Sequence, residues 1–92
     1  MIKSFKHKGL EKLFFEGSAK GILPKHKTKL EDILDLLDSM IQIQDMNFPG
    51  SRLHKLEPKK ENIWSVTVSG NWRVTFKFID SDAYEVNYTD YH

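Results

Sequence analysis

From Ile63 to Phe78 the chain reads IWSVTVSGNWRVTFKF, and no other stretch constrains its fold as tightly. Apolar residues recur at every second position on both sides of Ser69-Gly70-Asn71. Side chains alternate across a strand, so this period marks two half-buried strands joined by a tight turn. Trp64, Val66 and Val68 share one face. Trp72, Val74, Phe76 and Phe78 share one face of the next strand. For both sets to lie on the same side, Val68 must pair with Trp72. That leaves Ser69-Gly70-Asn71 as a three-residue loop, because a two-residue loop would set Ser69 opposite Trp72 and mix the faces. Gly70 and Asn71 both tolerate the positive φ that such loops need. AYEVNY is a further strand, with Tyr84, Val86 and Tyr88 alternating against Glu85 and Asn87.

An apolar sheet face has to be covered, and the first half of the chain supplies the cover. KHKGLEKLFFEG puts Leu10, Leu13 and Phe14 at helical spacing, with Gly17 as the stop. In TKLEDILDLLDSMIQI, Leu30, Ile33, Leu34, Leu37, Met40 and Ile41 form one apolar stripe. Glu31, Asp32, Asp35 and Asp38 lie opposite. Pro24 fits the first turn of this helix. MIKSF has the alternation of a short strand. Pro49-Gly50 marks the change from period 3.6 to period two. RLHKLEP, which follows, has no clean strand spacing. Residues 1–92 are thus expected to form one α+β domain, with N-terminal helices packed on an antiparallel sheet. The uncovered face carries Ser65, Thr67, Arg73, Thr75, Lys77, Glu85 and Asn87.

The chain has no cysteine, which excludes disulfides, thiolate metal sites and a cysteine nucleophile. Its four histidines show no metal-binding spacing, and no cofactor fingerprint is present. No apolar run is long enough for a membrane span, and a cytoplasmic protein is expected. The net charge of +1 conceals blocks. Residues 1–29 carry eight lysines against Glu11 and Glu16. Residues 30–46 carry five acids and no base. Residues 47–77 carry six bases against Glu57 and Glu61, and residues 78–92 carry four acids. Basic blocks suit a polyanion, although such lysines also serve simply as solvated surface.

The polar face gives the polyanion a place. Arg73 and Lys77 lie in its middle, with Lys55, Lys59 and Lys60 nearby, an arrangement suited to a phosphodiester. RNA brings its own nucleophile, the 2′-OH. Cleavage needs a base for the 2′ proton, an acid for the leaving 5′ oxygen and a cation beside the phosphate. His54, Arg73, Asp90, Tyr91 and His92 supply those groups. Taken singly, His54 reads as a surface histidine and Asp90-Tyr91-His92 as a tail. Arg73 pairs as readily with Glu85 across the sheet as with a phosphate.

Four pieces in order remove that ambiguity. RLHKL, IWSVTV, NWRVTFKF and the D-Y-H of NYTDYH, with MIKSFKHKGLEKLFFEG ahead of them, resemble the HigB-type toxins of the RelE/ParE superfamily. The resemblance spans nearly the whole chain. It implies the RelE-like, microbial-ribonuclease-like fold, with helices on a curved antiparallel sheet. It implies a ribosome-dependent endoribonuclease that cuts messenger RNA codons in the A site without a metal or cofactor. Catalytic roles carry over to His54, Arg73, Asp90, Tyr91 and His92. His54 and His92 would transfer protons, Asp90 would orient a histidine, and Tyr91 would stack on a base or share proton transfer. Arg73 would hold the scissile phosphate, and Asn71 would contact the codon. Lys20, Lys25, Lys27 and Lys29 would face ribosomal RNA.

The implied partners are the ribosome with its mRNA and a cognate helix-turn-helix antitoxin of HigA type. That antitoxin would supply operator-DNA binding. The chain departs from the family at Glu57-Pro58-Lys59-Lys60, where a basic, glycine-containing stretch is common. Two other roles fit the same fold: a gyrase-poisoning binder like the ParE relatives, and a decayed toxin that only binds its antitoxin. The titratable set of His54 with Asp90-Tyr91-His92 separates the ribonuclease from the pure binder.

Overall fold

A computed structural model describes residues 1–56 and 62–91. Helix α1 spans Lys8–Glu16 and α2 spans Lys27–Ser39, preceded by a 3₁₀ turn at Pro24–His26. Four strands follow: β1 (His54–Lys55), β2 (Ile63–Ser69), β3 (Trp72–Ile79) and β4 (Asp82–Asp90). They form one antiparallel sheet in the order β1-β2-β3-β4. The α+β arrangement is the one expected.

Local signals account for the helices. His7 caps α1 by accepting the Leu10 N–H on Nδ1 at 3.1 Å. Gly17 ends the helix at φ 72, a left-handed value that glycine takes without a Cβ clash. Leu30, Ile33, Leu34 and Leu37 of α2 are all buried. They meet Val66, Val74, Phe76 and Val86 from the sheet in one core. Met40 and Met46 are buried there too. Ile41 is the exception to the expected stripe. The helix stops at Ser39, and Ile41 is 75% exposed. Asp45 redirects the chain by accepting the N–H groups of Ile41 and Gln42 at 2.8 and 3.1 Å. Those donors hold its carboxyl below the usual range.

Two irregularities revise the expected sheet. Thr67 pairs with Arg73, but Ser69, not Val68, opposes Trp72. The turn is therefore Gly70-Asn71, and Val68 is the extra residue of a β-bulge. The bulge keeps Val68 buried while allowing the tighter turn, so the faces do not mix. A second bulge lies in β4. Thr75 pairs with Asn87, and the next pair is Lys77 with Tyr84. Beyond it Ala83 takes the core position opposite Phe78, and Tyr84 moves to the face of Lys77.

Glu85 sits in this second bulge at φ 53, which costs a non-glycine residue about 1–2 kcal/mol. The N-terminal segment secures it. The Glu85 N–H donates to Ser4 Oγ at 2.8 Å. Ile2 and Phe5 bridge in parallel to Ala83 and Val86. The MIKSF stretch thus makes two isolated bridges along β4. The Asp38 carboxylate of α2 accepts the Ile2 N–H at 3.0 Å.

Candidate active site

Strand pairing orders the polar face into rows. His54, Ser65, Thr75 and Asn87 are successive partners across the four strands. Thr67, Arg73 and Thr89 form the neighbouring row. Residues in register share a face, so His54 and Arg73 look out on the same side. They are two strands and two residues apart, about 12 Å between Cα atoms from standard spacings. Ser65 and Thr75, which have small side chains, are buried at the centre. Beside them lies a cleft of about 300 Å³ bounded by Lys6, Leu56, Ile63, Asn87, Thr89 and Tyr91.

Arg73 is half-buried and fixed on two sides. Its Nη1 donates to Thr67 Oγ1 at 3.0 Å, and its guanidinium lies 5.9 Å from the centre of the Tyr91 ring. That separation permits a cation–π contact. A guanidinium has five N–H donors, so this anchoring leaves others for an anion. Tyr91 follows the end of β4, and its N–H donates to the Asn71 carbonyl at 2.8 Å. The exposed turn residue Asn71 thereby buttresses Tyr91 through its backbone.

His54 is exposed on the edge strand. Its Nδ1 lies 3.0 Å from the Arg52 carbonyl oxygen. A carbonyl only accepts, so Nδ1 carries the proton in this contact. In the neutral ring the lone pair then sits on Nε2, ready to take a proton. Lys77 does not stand alone on the face. It forms a 2.8 Å ion pair with Glu85, whose carboxyl is held below the usual range by that hydrogen bond and charge. Lys77, not Arg73, is therefore the partner of Glu85.

The remaining expected residues are dispersed. Asp90 pairs in register with Trp72, on the helix-covered side of β4 and next to Tyr91. Lys55 pairs with Trp64, so its side chain leaves the sheet opposite His54. Lys20 and Lys25 are exposed between the helices. Lys27 pairs with Glu31 at 3.5 Å, and Lys29 lies over the Phe48 ring at 5.1 Å. Glu57, Pro58, Lys59, Lys60 and His92 lie outside the described residues. Among the described residues no three potential metal ligands come together.

Two contributors were not foreseen. Thr67 was legible, because the expected hairpin already sets it opposite Arg73. Lys6 was not, because only the pairing of the N-terminal segment with β4 brings it to the cleft.

Behind the site, on the helix side of the sheet, His26 is buried against Tyr88 and Trp72. Burial lowers its pKa below 6.5, and Lys25 pushes the same way. Burial also lowers His7, partly offset by a backbone hydrogen bond. The unfolded chain therefore binds more protons than the native one just below pH 6.5. Stability from these groups is complete above about 6.5 and is lost as pH falls toward the lowered values. His26 alone can contribute a slope of up to about 1.4 kcal/mol per pH unit. Urea unfolding between pH 7.5 and 5 is expected to show this fall, and His26→Asn to flatten it.

An antiparallel sheet backed by two helices, with histidine, arginine and tyrosine on its open face, defines an α+β protein of the RelE-like kind. Comparison with known proteins makes the assignment specific. The model of the family "RelE-like toxin of type II toxin-antitoxin system HigB" matches residues 3–92. The chain is also 46% identical to Endoribonuclease HigB of Proteus vulgaris over 92 residues, the full length of both. It belongs to the HigB-like toxins of type II toxin–antitoxin systems. Among the described residues no helix is long and apolar enough to cross a membrane.

Proposed function

We propose that this toxin is a ribosome-dependent endoribonuclease that cuts messenger RNA in the A site by attack of a 2′-OH. The observation that carries the reading is the placement of His54 Nε2 and the anchored Arg73–Tyr91 pair on one open face. The relative from Proteus vulgaris bears the name endoribonuclease. His54 takes the 2′ proton as O2′ bonds to phosphorus. The bond to the 5′ oxygen breaks, leaving a 2′,3′-cyclic phosphate, and the 5′ oxygen receives a proton from the Tyr91–His92 end. Arg73 stabilises the crowded phosphate through its remaining N–H donors. Asp90 orients a histidine. Asn71, on the turn beside Tyr91, contacts the codon, and Lys6 adds a cation at the cleft rim.

The ribosome orders the substrate, and the lysines at 20, 25, 27, 29, 55, 59 and 60 meet ribosomal RNA. A helix-turn-helix antitoxin of HigA type, encoded beside the toxin, restrains it in the cytoplasm and binds operator DNA for the pair. The test uses ribosomes programmed with mRNA carrying ribose or 2′-deoxyribose at the scissile position. The expected result is cutting of the ribose message alone, with a cyclic phosphate end, and no cutting by a chain lacking Tyr91 and His92. Growth arrest by a chain that cuts neither message would refute the reading and leave gyrase as the target to examine.

A further inference from the structure

His26 has no part in the chemistry above, yet it is among the most enclosed polar side chains, at 2% exposure. It ends the 3₁₀ turn that leads into α2, and its Nδ1 lies 2.6 Å from the Tyr88 hydroxyl. Its Nε2 is buried without a partner among the described residues. An unpartnered buried nitrogen is costly, so another interaction has to hold the ring there. The 2.6 Å contact supplies a hydrogen bond there, beside edge-on ring contacts with Trp72 and Tyr88.

Tyr88 is gripped by more than this bond. The Trp72 ring stacks on it at 4.6 Å, and His7 meets it edge-on at 5.5 Å. Both gripped residues adjoin the candidate site. Trp72 precedes Arg73 and pairs with Asp90. Tyr88 lies one residue before Thr89, the partner of Arg73, and three before Tyr91. The cluster therefore backs, through the thickness of the sheet, the part of β3 and β4 that carries Arg73 and Tyr91. Beyond Asp90, Tyr91 is held by its backbone bond to Asn71 and its ring contact with Arg73. Such strand ends fray unless they are tied down.

We propose that His26 is a positioning residue, whose hydrogen bond to Tyr88 fixes the end of β4 and so sets Tyr91 against Arg73. The proposal rests on the ribonuclease reading. A displacement of about 1 Å in such a site is enough to lower a rate about a hundredfold.

The test compares the full chain with His26→Leu, which removes the bond, and His26→Asn, which places an amide near the position of Nδ1. Tyr88→Phe removes the hydroxyl, and with it both the bond to His26 and a hydrogen bond to the Leu23 backbone, and serves if His26→Leu does not fold. Three quantities are read below each variant's unfolding temperature: the single-turnover cleavage rate at saturation, the half-saturating toxin concentration, and hydrogen exchange of the Tyr91 amide. His26→Leu and Tyr88→Phe are expected to lose at least tenfold in rate while half-saturation shifts by less than threefold. Their Tyr91 amide should exchange faster, and His26→Asn should recover most of the rate. Folded His26→Leu or Tyr88→Phe that cuts at the parental rate, with Tyr91 protected as in the parent, would overturn the proposal. If the parent itself does not cut, the ribonuclease reading fails, while Tyr91 exchange still judges the tether.

Discussion

Arg73→Ala is expected to lower single-turnover cleavage at least about a hundredfold, the usual consequence of removing a group aimed at transition-state charge. The reason lies in how the side chain is held. Thr67 takes one N–H, the Tyr91 ring covers the guanidinium, and the strand pair β2–β3 fixes the backbone beneath it. Little reorganisation remains when a phosphate arrives. Arg73→Lys should restore only a small part of the loss, because an ammonium keeps the charge without the planar fork. Neither change should cost much stability. The side chain is half-buried, and a typical hydrogen bond of this kind contributes about 1 kcal/mol. Cleavage on programmed ribosomes, measured alongside thermal unfolding, separates the two effects. Full activity in Arg73→Lys would show that a point charge suffices and would remove the planar donor fork from the mechanism.

The largest effect on stability is expected at Phe76. Its ring is 1% exposed in the middle of β3, between the sheet and the Leu30–Leu37 face of α2. Phe76→Ala should destabilise by about 3–5 kcal/mol, from lost burial and from the cavity left behind. Domains of this size are stable by about 5–15 kcal/mol, so the change removes a large share. Urea unfolding should show a lower midpoint with an unchanged slope. Ile41→Ala provides the contrast. That side chain leaves the helix stripe for solvent, and its replacement should change stability by less than about 0.5 kcal/mol. An equal loss at both positions would show that Phe76 is not at the centre of the core.

The residues of α1, the Gly17 stop, the buried stripe of α2 and the hairpin's Thr67–Arg73 pair were all legible in the sequence. Each rests on a local period or a local backbone preference, and these act over a few residues whatever surrounds them. The polar face that carries Arg73 was readable for the same reason. Alternation along a strand assigns faces without knowledge of the rest of the chain.

What escaped was set by contacts between segments far apart in sequence. The Val68 bulge exchanges an expected three-residue loop for Gly70-Asn71, because burial of Val68 and a tight turn are satisfied together only by an extra residue. The Glu85 bulge moves Ala83 to the core and Tyr84 away from it, and its N–H is satisfied by Ser4 from the start of the chain. Lys6 reaches the cleft through that same pairing. His26 looks in the sequence like one more basic residue among lysines, yet it is buried because the chain entering α2 crosses over Tyr88. The sequence alone determined the two helices, the β2–β3 hairpin, the presence of β4 and which hairpin face is polar, but not β1 or the bridging of the N-terminal segment. Tertiary structure decided which distant groups meet on that face and behind it, because side-chain pairing and burial depend on the whole chain at once.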